Sequence, residues 1–160
     1  MTELEWTQML NHFVHLGIAF LLAVPVAVNR ELRSKGVGLR TFPLVSVASC
    51  GYMLLAMQVY SGSDAEARVM YGLITGIGFI GGGAILKNGS NVSGTATAAS
   101  IWNTGAIGVS VAYEIAITLS LINFLVLQFG GVIKQETRAV SQKGEERDVE
   151  ESQRAAKEGE

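Results

Sequence analysis

The chain has 160 residues, 49% of them hydrophobic, and sets 12 Lys and Arg against 14 Asp and Glu for a formal net charge of −2. That balance leaves no basic footprint, so no nucleic-acid partner is expected. A lone cysteine, Cys50, excludes an intrachain disulfide and leaves the redox compartment undetermined.

The apolar residues fall in unbroken runs. From Leu10 to Val28 there is no Asp, Glu, Lys or Arg, and a helix of that length crosses roughly 30 Å of hydrocarbon. The leader Met1-Thr2-Glu3-Leu4-Glu5 is acidic and no Ala-x-Ala site follows, so this first span is expected to be retained rather than cleaved. His12 and His15 lie three apart on it, facing one way; two imidazoles without a third ligand read as interfacial groups, and no metal site is expected. Trp6, and Tyr60 at the end of the second charge-free run Phe42 to Tyr60, read as interface anchors.

A third run spans Val69 to Leu86 and is rich in glycine. In lipid, helix association relies on close backbone approach, so the pairs Gly72 with Gly76 and Gly78 with Gly82 are expected to pack against a neighbour. Gly81-Gly82-Gly83 is no phosphate loop: no strand precedes it and no Gly-Lys-Ser/Thr ends it. Val92 to Tyr113 and Ile115 to Ile133, separated by Glu114, read as a fourth and a fifth span. The fourth carries Ser93, Thr95, Thr97, Ser100, Asn103 and Thr104, too polar to face lipid all round, so it is expected inside the bundle or partly re-entrant. Small residues Ala96, Ser100, Thr104 and Gly108 form a ladder along it, and with Gly94 complete the expected packing set. Thr97, Trp102 and Asn103 are its other polar candidates; Asn103, with Asn123 and Gln128 on the last span, is expected to hydrogen-bond between helices.

The expected architecture is therefore all-α, a polytopic transmembrane bundle of about five helices over residues 1–133. A charged tail, 134–160, is expected to be partly helical or disordered. Eleven of the 12 basic residues fall on one side of this five-span arrangement, in the loop after span one (Arg30, Arg33, Lys35, Arg40), at Lys87 and in the tail; Arg68 alone falls on the other. Glu3, Glu5, Asp64, Glu66 and Glu114 gather with Arg68, so the N-terminus is expected outside and the C-terminus in the cytoplasm.

Several motifs in order carry a family resemblance: Asn29-Arg30-Glu31, Gly38-Leu39-Arg40-Thr41, Asp64 with Arg68, Gly76 to Ile85, and Gly94-Thr95-Ala96-Thr97-Ala98-Ala99-Ser100-Ile101-Trp102. Over roughly residues 10 to 130 the chain resembles the MgtC/SapB family of bacterial membrane proteins. The resemblance implies a small helical protein of the bacterial inner membrane, associated with magnesium limitation and survival inside host cells, that modulates other membrane machines such as the F-type ATP synthase. Departures from the family pattern are Asn29 where Glu is usual before the arginine, and Ala96 where a polar side chain is often found. The soluble C-terminal domain of longer members is not expected in these residues.

Two functions compete. The favoured one is a non-catalytic regulatory membrane protein acting through helix contacts with itself or another membrane complex; the alternative is an ion or small-solute transporter. No nucleophile-base pair occurs within the spans, so no catalytic residue and no cofactor is expected. The residues singled out are the cluster Asn29, Arg30, Glu31, Arg40 and Thr41, expected to meet at the membrane surface through an arginine-carboxylate contact, and the outer-side set Asp64, Arg68 and Glu114. The topology has a direct check. Cysteines placed singly at Ser34 and Ser63 in a Cys50→Ser background should react with a membrane-impermeant thiol reagent from opposite faces; labelling from one face would end the five-span arrangement.

Overall fold

The computed structural model describes residues 3–33 and 38–115. Of the fifth span expected over 115–133, all but residue 115 lies outside them, as does the tail 134–160. Within them the chain forms α1 (Glu3–Arg33), α2 (Thr41–Val59), α3 (Ser63–Gly83), a two-stranded ribbon of β1 (Leu86–Asn88) and β2 (Asn91–Ser93), and α4 (Thr95–Ala112). At 1.5 Å per residue, the 31 residues of α1 and the 19 of α2 reach about 46 and 28 Å. Both are long and apolar enough to cross a membrane by length and composition.

The helical segments depart from the charge-free runs at two places. Helix α3 begins at Ser63, six residues before the run, because Asp64 and Glu66 suit a helix N-terminus. It ends at Gly83, and the residues up to Ser93 form an antiparallel ribbon in the register Leu86↔Ser93, Lys87↔Val92, Asn88↔Asn91. Asn88-Gly89 is a strong hairpin signal, with Gly89 at φ +61°. Helix α4 starts only after Gly94, whose φ of +83° and closeness to the Ala84 carbonyl leave no room for a side chain. Gly94 is thus a turn residue, not a helix-packing residue.

Helix α4 touches α1, α2 and α3, and α2 also touches α1 and α3. Of its 18 residues, ten are buried, from Thr97 to Ala112, which places the polar helix inside the bundle. The core combines small side chains at helical spacing, Ala19, Ala23 and Ala27 on α1 and Ser46, Ser49 and Cys50 on α2, with the larger Phe42, Met53 and Ile107. Ser46 Oγ donates to the Ala19 carbonyl of α1 at 2.9 Å. A Cβ on Gly108 would strike the Ser46 carbonyl, so α4 and α2 meet backbone to backbone. Gly105 receives the Ile77 side chain of α3, and Gly81 lies 3.2 Å, measured from its would-be Cβ, from the Ala98 carbonyl.

The small-residue expectation is therefore divided. Ser100, Thr104 and Gly108 are buried, whereas Ala96 is exposed. On α3 the close contact runs through Gly81, and nothing stands within 4 Å of a Cβ built on Gly72, Gly76, Gly78 or Gly82. Gly108→Ala should cost about 1–3 kcal/mol in detergent unfolding, because a backbone carbonyl cannot step aside. Gly72→Ala, entering open space in a helix, should be neutral or stabilising by up to about 1 kcal/mol; equal melting of the two variants would place α4 wrongly.

Candidate functional site

At one end of the bundle α1 closes onto the start of α2. Phe42 N–H donates to the Gly38 carbonyl at 3.3 Å, so helical hydrogen bonding begins at Gly38. Glu31 reaches over from the preceding helix and accepts the Leu39 N–H at 3.1 Å, satisfying a first-turn donor and placing negative charge at a helix N-terminus. Gly38 is buried against Glu31, with no space for a Cβ between them.

This geometry changes the expected cluster. Glu31 spends its carboxylate on a peptide N–H, and no ion pair joins it to Arg40, which is exposed at the N-cap of α2. Arg30 turns to its neighbour, donating to Asn29 Oδ1 at 3.4 Å, both residues half-buried. Thr41 is half-buried beside fully buried Phe42. The cap is nearer than Arg40 because a glycine lets the backbone approach.

The opposite end gathers the start of α1, the start of α3 and the end of α4. Tyr113 OH donates to Glu66 Oε2 at 2.8 Å, tying α4 to α3. Burial pushes the Tyr113 hydroxyl above its ordinary titration range, and the hydrogen bond and negative charge of Glu66 push it further. His15 on α1 places Nε2 3.8 Å from Glu114 Oε1. Asp64 and Arg68 are exposed on the first turns of α3, and it is Glu66, not Asp64, that bridges helices. Sequence reasoning passed over Tyr113, since nothing in its neighbours announces a partner 47 residues away.

Along α4 the hydroxyls turn inward on their own helix. Ser100 Oγ donates to the Ala96 carbonyl at 2.7 Å, Thr104 Oγ1 to Ser100 at 2.7 Å and Ser110 Oγ to Ala106 at 2.7 Å. Thr97 is buried, and Asn103 is half-buried without the expected interhelical hydrogen bond to a described residue. Trp102 is half-exposed and lines a small hollow of about 180 Å³ between α3 and α4 with Leu73 and Ile77. Between α2 and α3 runs an apolar groove of about 540 Å³, walled by Leu44, Ala48, Tyr52, Gly72, Gly76 and Ile80. Among the described residues no group of three His, Cys, Asp or Glu stands close enough to hold a metal ion.

A model of the MgtC family matches residues 16–136. The chain is 34% identical over 126 residues to the "Putative magnesium transporter YhiD" of Escherichia coli K12, covering 72% of this chain and 58% of that protein. It is 38% identical over 104 residues to "Protein MgtC" of Brucella abortus (65% and 43%), and 35% identical over 101 residues to "Protein MgtC" of Salmonella typhimurium (63% and 43%). The chain thus spans about half the length of the curated relatives it matches. No solved structure matches it.

Tyr113 supplies a pH test of the second end. A hydroxyl whose titration is raised in the folded chain contributes stability that is fully present below the ordinary tyrosine range and lost as pH rises through the raised value. Tyr113→Phe should melt lower at pH 7.5 by the equivalent of about 1–2 kcal/mol, and the gap to the unsubstituted chain should narrow above about pH 10. A gap constant to pH 11.5 would remove Tyr113 from the contact.

Proposed function

The chain belongs to the MgtC family, and from that premise we propose that it is a non-catalytic, multi-pass protein of the bacterial inner membrane that regulates other membrane proteins through helix contacts. In this reading α1 to α4 all cross the bilayer, residues 116–133 supply a fifth span, and the N-terminus lies outside. The observation that carries it is the state of α3, which buries only Ile77 and Gly81 among the described residues. It leaves Gly72, Gly76, Gly78 and Gly82 open, the first two of them lining an apolar groove. Small residues left uncovered on a membrane helix are the surface on which another helix packs closely. The name of the Escherichia coli relative links the reading to magnesium, so growth under magnesium limitation is the proposed setting. A larger membrane complex such as the F-type ATP synthase, or a second copy of the chain, is the proposed class of partner.

A transporter is the second reading, favoured by the name of the Escherichia coli relative. Against it stands the middle of the bundle. From Leu16 to Val28, throughout α2, from Val69 to Gly83 and throughout α4 there is no Asp, Glu, Lys, Arg or His. A solute path through lipid calls for ionisable or unwound backbone groups at mid-depth, and the hydroxyls of α4 are spent on α4 itself.

Liposomes holding the full chain and an entrapped magnesium indicator separate the two readings. We expect magnesium entry no faster than into protein-free liposomes, together with crosslinked adducts above monomer mass in native membranes. Saturable entry would favour transport, and monomer alone after crosslinking would count against the helix-contact reading.

A further inference from the structure

The apolar groove between α2 and α3 has a direction. Its α2 wall is a row at four-residue spacing, Leu44, Ala48 and Tyr52, all exposed, and the same row carried back one turn arrives at Arg40, the N-cap residue. Its α3 wall runs from Ile80, one turn short of the helix end at Gly83, back to Val69. Gly72 and Gly76 open it, with nothing within 4 Å of a Cβ built on either. Both walls thus begin one turn inside the same end of the bundle, where β1 with Lys87 follows α3.

Length selects the occupant. At 1.5 Å per residue the groove extends about 12 Å along α2 and about 16 Å along α3. One leaflet of hydrocarbon is roughly 15 Å deep, half of the bilayer core, whereas a partner helix as long as α2 would need about 28 Å of matching surface. The volume of about 540 Å³ suits a small ligand. Within the lining, Ser49 Oγ already donates to the Val45 carbonyl at 2.8 Å, so it asks nothing of what lies there. A hydrocarbon chain reaching in from one leaflet meets these dimensions. Such a chain gains little by exchanging lipid neighbours for a groove, so selection falls to the headgroup.

Charge at the mouth specifies that headgroup. Arg30, Arg33, Arg40 and Lys87 stand at this end, and Glu31 is the one acid with them among the described residues. The Glu31 carboxylate accepts the Leu39 N–H. Arg40 is exposed, and its guanidinium has no hydrogen-bond or ion-pair partner among the described residues. A guanidinium fork matches two oxygens of a phosphate.

We propose that the groove holds one acyl chain of an anionic phospholipid, whose phosphate is bound by Arg40, with Lys87 adding positive charge at the same end. In the proposed topology this end is cytoplasmic, where the leaflet is negatively charged. The site goes beyond the helix-contact reading and stands without it. Gly78 and Gly82, two and six residues past Gly76, fall on the far side of α3 and stay open to a helix while the groove is filled.

The test is thermal melting of the purified full chain in a neutral detergent with phosphatidylglycerol, phosphatidylcholine or inorganic phosphate added. Phosphatidylglycerol should raise the melting temperature by about 3–6 °C at saturation, phosphatidylcholine by less than half as much, and phosphate not at all. Arg40→Gln should reduce the phosphatidylglycerol gain to the phosphatidylcholine level, and Arg68→Gln, at the opposite end, should keep it. The double variant Gly72→Leu, Gly76→Leu fills the groove with good helix formers; it should melt no lower than the unsubstituted chain in detergent alone and lose the gain. Ala48→Leu repeats that test from the other wall should the double variant fail to fold. Equal gains from the two lipids, a gain from phosphate alone, full gain in Arg40→Gln or in the filled variants, or its loss in Arg68→Gln would overturn the site. So would a dimer in detergent that the filled variants convert to monomer, which would assign the groove to a second copy of the chain.

Discussion

The bundle depends on one close approach, where the backbone of α4 at Gly108 meets the backbone of α2 at Ser46. Between helices in lipid the hydrophobic effect supplies no attraction, because the tails displaced are as apolar as the side chains that replace them. What remains is dispersion, which falls off within an ångström, and hydrogen bonding. A glycine at 108 brings two helices within reach of the first. The second follows at the same level, since the Ser46 hydroxyl donates directly to the Ala19 carbonyl of α1. Three helices are thereby fixed at one depth, and Cys50, Met53, Val111 and Ala112 pack as a cluster with Ala19.

Helix α4 can occupy the centre only because its polarity is neutralised before it reaches a neighbour. A free hydroxyl in hydrocarbon would demand a partner on another helix or a water molecule. Ser100, Thr104 and Ser110 instead donate to carbonyls four residues back, and Ser49 does the same on α2, to Val45 at 2.8 Å. To the rest of the bundle these side chains then present small, largely apolar surfaces. The composition that made the segment look unfit for lipid is the composition that lets it be surrounded by helices.

How far the chain could be read without coordinates followed from how local each signal is. The helices α1 and α2 are announced by long charge-free runs, and the burial of α4 by its hydroxyls. Charge alone could not separate helix from ribbon, so the ends of the ribbon at Leu86, Val92 and Ser93 fall inside the expected spans and only the residues between them are read as a loop, although Asn88-Gly89 marks a hairpin. Glycine spacing on α3 identifies a helix face fit for close contact without saying what meets it, and the glycine that is engaged, Gly81, belongs to a run with no distinctive period. At the α1–α2 turn Glu31 accepts the Leu39 N–H next to Gly38, a backbone partner that no pattern of charges announces. His15 with Glu114 and Tyr113 with Glu66 join residues 99 and 47 positions apart, beyond what pattern can foresee.

Helix α3 is held differently from its neighbours. Its attachments are Ile77 in the notch of Gly105, Gly81 on Ala98, the ribbon at one end and Glu66 at the other. The groove beside α2 and the hollow beside α4 leave the remainder of its flanks thinly packed. An element with few buried contacts moves at lower cost than the rest of the fold, so a helix arriving in the bilayer would act on this bundle most readily through α3. The Glu66 tether ends on Tyr113, and the next residue is Glu114, which faces His15. The turn at the end of α4 therefore holds α3 through its tyrosine.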